Sequence, residues 1–175
     1  MKQVPLPGCP PPPAEEELFR LYVTTFELWA HSPNTISSIE PLDTMIRGLL
    51  GEQPRSCSFA ASCPEHMITI DQNGNVVPCS SLVSEEFVLG NIFSEKLQTI
   101  LEKPSTKDLS LSRAGFLGCH CADCEFLSLC QGGCRADAYW HSGRYDGAYP
   151  YCESRKRTFA YLRDRLADIA PRVSG

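Results

Sequence analysis

Ten cysteines in a chain of 175 residues define the chemistry open to this sequence: Cys9, Cys57, Cys63, Cys79, Cys119, Cys121, Cys124, Cys130, Cys134 and Cys152. Two blocks have ligand-like spacing. In the first, ten residues separate Cys63 from Gly74 and four more separate Gly74 from Cys79. The second is Cys121-x2-Cys124-x5-Cys130-x3-Cys134, followed after a gap by Cys152. Close spacing lets a short loop offer several thiolates to one inorganic core, while distant cysteines complete the site through folding. Thiolates are the expected ligands of iron–sulfur clusters and of structural zinc alike. Eight usable thiolates fit two four-ligand sites of either kind, so the residue types leave the metal open.

A chain of this size can build a core without covalent staples, so disulfide bonding is not needed to explain the cysteines. The N-terminus, Met1-Lys2-Gln3-Val4-Pro5-Leu6-Pro7-Gly8-Cys9 and then four prolines, cannot form the apolar helix of a secretory signal. No run approaches the roughly 18 apolar residues of a membrane span. The sequence thus reads as cytoplasmic, where thiols stay reduced and cysteine clusters hold metal. Hydrophobic residues are 42% and charged residues 21% of the chain, an ordinary globular balance. The formal charge of −5 argues against a nucleic-acid partner bound through phosphate neutralisation.

The elements that must position these thiols are mostly helical. Residues 1–13 read as a proline-rich linker in polyproline II. Residues 14–51 read as a helical linker segment. Its first helix spans Ala14 to about Trp29, with Leu18, Leu21/Tyr22, Phe26 and Trp29 in one stripe and Glu15, Glu16 and Glu17 at the positive end of the dipole. Its second spans about Ile39 to Leu50, with Leu42, Met45/Ile46 and Leu49/Leu50 inward and Gly51 as the stop. Residues 52–175 form the cysteine-bearing domain. There, Met67–Ile70 and Val76–Cys79 flank Asp71-Gln72-Asn73-Gly74-Asn75 as a hairpin, with Pro78 at the strand's end. A short helix is expected from Ile92 to about Leu101. The stretch from Gly118 to Gly147 has the texture of backbone wrapped closely around something. A closing helix runs from Ser154 to Ile169, with Phe159, Leu162, Leu166 and Ile169 on one face. The fold class is α+β, mostly helical and irregular, with one small β-hairpin and cysteine-rich loops flanked by helices.

Taken together, the cysteine pattern C-x(9–15)-G-x4-C, gap, C-x2-C-x5-C-x3-C, gap, C resembles the SPASM domain, the C-terminal extension of radical S-adenosylmethionine enzymes that modify peptides and proteins. Cys63, Gly74, Cys79, Cys121, Cys124, Cys130, Cys134 and Cys152 fill it in register. Val88-Leu89-Gly90-Asn91-Ile92 and Gln131-Gly132-Gly133-Cys134 are also similar to family members. The resemblance implies two auxiliary [4Fe-4S] clusters with interleaved ligands. Cluster I would take Cys63, Cys79 and Cys134, with Cys57 in the place of the fourth ligand; cluster II would take Cys121, Cys124, Cys130 and Cys152. Full protein ligation favours electron transfer or structural roles over substrate binding to iron. Implied partners are a radical SAM domain or subunit, a precursor peptide and an electron donor or acceptor protein. Without clusters, residues 57–152 are expected to lose order.

Two departures from the family pattern carry consequences. Cys130-x3-Cys134 is followed by Asp137 where a C-x3-C-x2-C loop would place its third cysteine. The chain alone is therefore not expected to cleave S-adenosylmethionine, which would act only through a missing or separate radical SAM domain. Sulfatase-maturing members resemble one another in an aspartate directly after the second motif cysteine, where this chain has Ser80. That departs from the sulfatase-maturing pattern, and the remainder resembles members that crosslink or otherwise modify ribosomally made peptides. The remaining features have structural readings: Cys119 and Cys9 as spare thiols, and His31, His66, His120 and His141 as incidental. The cations of the last helix are read as a solvated face, and Tyr139, Trp140, Tyr145, Tyr149 and Tyr151 as a cover over cluster II. The rival readings are a zinc-stabilised, non-enzymatic interaction module that docks through the basic last helix, and a free-standing ferredoxin-like electron carrier.

Overall fold

A computed structural model describes residues 12–32, 38–60, 67–106 and 121–173. Cys9, Cys63, His66, Cys119 and His120 lie outside them. The described helices are α1 (Glu15–Ala30), α2 (Leu42–Leu49), α3 (Leu97–Leu101), α4 (Leu127–Cys130), α5 (Arg135–Ser142) and α6 (Cys152–Val173), with single 3-10 turns at Cys57–Phe59 and Glu85–Phe87. A small antiparallel sheet has the order β1-β2-β3, from Thr69–Ile70, Asn75–Val77 and Gly90–Asn91. No described helix is long and apolar enough to cross a membrane.

The long helices α1 and α6 pack along each other, and chemistry reinforces their shape match. Phe26 is buried from α1, and Phe159 and Leu162 from α6, while Leu42 and Met45 of α2 close the same core. Charged pairs line the seam. Arg157 donates to Glu16 at 2.6 Å and stacks over Phe19 at 3.9 Å. Arg165 grips Glu27 bidentately at 2.8 and 3.0 Å, and the Tyr161 hydroxyl donates to the same carboxylate. At the start of α1, Glu17 accepts the Ala14 N–H at 3.0 Å, so an orphan donor at the helix end is satisfied. Two predicted inward positions face out: Leu21 is 58% and Leu50 63% exposed. Tyr22 takes the seam that Leu21 would have shared, and the helix α2 ends at Leu49, so Leu50 is already in the turn to Gly51.

The hairpin expected around Gly74 is part of a three-stranded sheet. Ile70 pairs with Val76, and Val76 also pairs with Gly90, which makes Asn75–Val77 the central strand. Its two valines are 0% and 1% exposed, buried on both faces. Asp71 accepts the N–H groups of Asn73 and Asn75 at 2.8 and 2.9 Å, and Gly74 turns at φ 78°, a conformation that favours glycine. The third strand, within Val88–Ile92, has no sequence signature, because a two-residue strand has no alternation to detect. Helix formation there is delayed to Leu97: Asn91 binds the Phe93 N–H and the chain turns through Ser94 and Glu95 first. Two further helices, α4 and α5, occupy the Cys/Gly-dense stretch, and α6 starts at Cys152.

Candidate metal centre

Cys57 and the six described cysteines of the two blocks are all free thiols, and they fall into two groups around separate cavities. Cys57, Cys79 and Cys134 line the first cavity, of about 60 Å³, with Ser80, Ser81 and Tyr145 in its wall. Cys121, Cys124, Cys130 and Cys152 line the second, of about 160 Å³. Its apolar wall is Phe126, Leu127, Tyr149 and Phe159, with Arg155 and Lys156 as its cations. Among the described residues, no three His, Cys, Asp or Glu side chains converge on a point that one metal ion could occupy.

The segregation has a local cause. Cys130 ends α4 and Cys134 caps α5, so only three residues lie between thiols that face different cavities. Gln131, Gly132 and Gly133 all have positive φ, at 53°, 76° and 76°, and this run reverses the chain between the two helices. A side chain at Gly133 would meet strain in the backbone and a Cβ only 2.5 Å from the Tyr149 ring. Arg135, 2% exposed, fixes the reversal by donating to the carbonyls of Gly132 and, at 2.9 Å, Gly147. The Gln131–Cys134 stretch singled out in the sequence is therefore a switch point in chain direction.

Each cavity rests on its own core. Cys124 and Cys130 pack against the main core, where Phe126 and Phe159 stack at 5.4 Å and Phe59 meets Phe159 edge-on at 6.1 Å. Cys79 and Cys134 pack against a smaller cluster of Leu82, Phe87 and Ala136. The predicted aromatic cover is divided accordingly. Tyr149 lines the second cavity, with Tyr151 edge-on to it at 5.8 Å. Tyr139, Trp140 and Tyr145 belong instead to the Cys79/Cys134 side. Helix α5 carries the first two toward the 81–88 segment, where Tyr139 donates to Glu86 at 2.6 Å and Trp140 to the Ser81 carbonyl at 2.7 Å.

Burial pushes the thiols of Cys79, Cys121, Cys134 and Cys152 up, most directly by desolvating their charged forms. Neighbouring thiols add to this at Cys121 and Cys152, where the other cysteines of the same cavity contribute. Backbone N–H groups oppose it: those of Ser81 and Leu82 point at Cys79, and those of Ala136 and Asp137 at Cys134. Cys134 and Cys152 also stand at helix N-termini, where the dipole favours negative charge. Thiols gathered against apolar walls and met by backbone donors suit a cationic inorganic core, whose positive charge offsets the thiolate charge that burial alone would disfavour.

Among the described side chains of the last helix, the cations have partners. Arg155 is buried, Arg157 pairs with Glu16, Arg163 with Glu125 at 2.8 Å, Arg165 with Glu27, and Lys156 lies 3.8 Å from Glu153. His31 is bound to the Glu27 carbonyl at 2.7 Å, outside either cavity.

Residues 57–125 match the SPASM family, an iron–sulfur cluster-binding domain. The chain carries a SPASM domain. Cys130, Cys134 and Cys152 lie beyond the matched span, yet the structure brings them to the same two cavities as the matched cysteines. The chain is 30% identical over 111 residues to a serine-type anaerobic sulfatase-maturating enzyme of Bacteroides thetaiotaomicron, covering 63% of this chain and 27% of that protein. It is 27% identical over 140 residues to a cysteine-type anaerobic sulfatase-maturating enzyme of Clostridium perfringens, covering 78% of this chain and 36% of that one. A solved structure of native anSMEcpe with bound AdoMet and Cp18Cys peptide superposes with a TM-score of 0.69 at 25% identity, covering 91% of this chain and 43% of that chain. This SPASM-bearing chain thus spans about a third of the length of the curated relatives it matches. Those relatives are sulfatase-maturating enzymes, the class from whose pattern Ser80 departs.

Proposed function

We propose that this chain holds two [4Fe-4S] clusters and supports electron transfer and substrate holding during radical SAM-dependent peptide modification, as a fragment or partner of a radical SAM enzyme. Cys57, Cys79 and Cys134, with Cys63, would hold one cluster; Cys121, Cys124, Cys130 and Cys152 would hold the other. Residues 52–175 form the cluster-holding domain, 14–51 the helical segment that braces it and 1–13 a proline-rich linker. The observation that carries this reading is the sorting of cysteines, interleaved in sequence, into two separate cavities.

Bound there, the clusters would supply one-electron redox capacity. The protein's part is to hold and shield. Phe126, Phe159 and Tyr149 keep water from the second cavity, and the N–H groups beside Cys79 and Cys134 offset negative charge at the first. S-adenosylmethionine belongs to a radical SAM domain, because Asp137 stands in the first turn of α5 where a third loop cysteine would be needed. Ser80 lies in the wall of the first cavity. A serine hydroxyl is no general base at neutral pH, so a ribosomally made peptide is the proposed substrate class, rather than a sulfatase. An electron donor or acceptor protein completes the circuit, and the cytoplasm is the compartment that keeps the thiols reduced.

Iron, sulfide and zinc are to be counted on anaerobically prepared protein, with an electron paramagnetic resonance spectrum after reduction. About eight iron and eight sulfide per chain are expected. About two zinc without sulfide would overturn the reading.

A further inference from the structure

Arg155 is an uncommon object, a guanidinium only 7% exposed beside a set of thiols. Its Nη1 lies 3.8 Å from Cys130 Sγ and 3.3 Å from the Ser58 carbonyl, to which it donates. Its Nη2 donates to the Tyr149 hydroxyl at 2.8 Å. The rings of Phe59 and Tyr149 each lie 4.2 Å from the guanidinium carbon, so the group is held between two aromatic faces. Arginine stays charged at any working pH and its planar fork suits such a slot. On the other side, the carboxyl of Asp137 stands beside Cys134 and within reach of the same charge. Among the described residues, the packing aims the one cation buried in the second cavity's wall at one of its thiols; Lys156, the other cation there, is 45% exposed at its side chain.

We propose that Arg155, anchored by Tyr149, is a positioning residue that raises the reduction potential of the cluster at the Cys121/Cys124/Cys130/Cys152 cavity, and of that cluster selectively. The inference rests on the two-cluster reading. A cluster gains a unit of negative charge when it takes one electron, with no bond made or broken. A fixed positive charge and an N–H donor at a ligand sulfur favour that reduced form, since net charge, hydrogen bonds to sulfur and solvent exposure set such potentials. The first cavity has a buried cation of its own, Arg135, which donates to the Gly132 and Gly147 carbonyls, so the inequality rests on the Arg155 N–H aimed at Cys130 Sγ.

The test is a dithionite titration of the reconstituted full chain followed by electron paramagnetic resonance, after iron and sulfide have been counted. In R155Q one of the two couples falls by at least about tenfold in its reduction equilibrium, or 59 mV for one electron, and the other stays. R155K retains the charge and falls by less at the same couple. With about eight iron present, unmoved couples, equal shifts in both, or a fall in R155K as large as in R155Q overturn the proposal and leave the two-cluster reading standing. Should R155Q not retain iron, Y149F is read in its place: it keeps the ring, loses the anchor, and lowers the same couple by less than tenfold. Unmoved couples in Y149F then overturn the proposal. Wild-type protein holding only zinc overturns this inference and the two-cluster reading together.

Discussion

The two cysteine cavities differ in how the chain assembles them. The second takes three of its thiols, Cys121, Cys124 and Cys130, from one short stretch and the fourth, Cys152, from the start of α6. It stands on the main core, which draws residues from α1, α2 and α6 and is stitched by ion pairs along the α1–α6 seam. The first cavity draws Cys57, Cys79 and Cys134 from three distant segments and rests on a cluster of three buried residues beside a sheet of two- and three-residue strands. Short strands bury little apolar surface, so this side depends far more on whatever its thiols hold. One cavity is built into a fold, and the other is part of what makes its fold.

Iron removal should expose that difference with the largest effect. Stripping the protein with a chelator is expected to lower amide-exchange protection in β1–β3 by roughly a hundredfold, against less than tenfold in α1 and α6, because only the latter keep an independent core. Equal losses in both regions would erase the distinction. Core truncation sharpens it from the other side. Phe159→Ala removes the ring that Phe126 and Phe59 both pack on and should cost about 3–5 kcal/mol in a denaturant melt. Phe87→Ala, on the smaller core and 9% exposed, should lie near or below the low end of that range. Gly133→Ala strikes the joint between the cavities. Its positive φ and the Tyr149 ring 2.5 Å from the added Cβ predict a loss of about 1–3 kcal/mol, with iron lost from both cavities together.

The same difference governs what could be read from the sequence. Cysteine spacing identified the residues because ligand geometry is local, and the stripe from Leu18 to Trp29 identified α1 because a long helix repeats its signal. The chain reversal at Gln131–Gly133 was visible only as a pair of glycines, and the divided allegiance of the tyrosines was not visible at all. Tyr139 and Trp140 lie thirteen and twelve residues from Cys152 in sequence, but α5 runs away from it toward Glu86 and Ser81. Third-strand pairing at Gly90–Asn91 depends on contacts with Asn75 and Val76, and two residues carry no period of their own. The cations of α6 looked like a solvated face. Their partners on α1 and in the 121–130 stretch are set by tertiary packing, which single-helix periodicity does not encode.

The smallest expected effect concerns the seam beneath the second cavity. Hydrogen bonds from Arg165 and then Tyr161 hold the Glu27 carboxyl down at about 2, from an ordinary value of 4.5. A carboxylate depressed in the folded state contributes stability that is fully present above its unfolded value and is lost as pH falls through the folded one. The window here is therefore pH 4.5 down to about 2. Thermal melts across that window should show wild type losing more of its Tm than E27Q, whose amide cannot take up the proton. Above it, E27Q should melt only slightly lower than wild type, because Glu27 is partly exposed and solvent screens the pair. The amide-exchange profile of β1–β3 should be the same in both proteins, since the seam supports the second cavity and has no counterpart under the first. A change in sheet protection in E27Q would mean that the two regions share one cooperative unit.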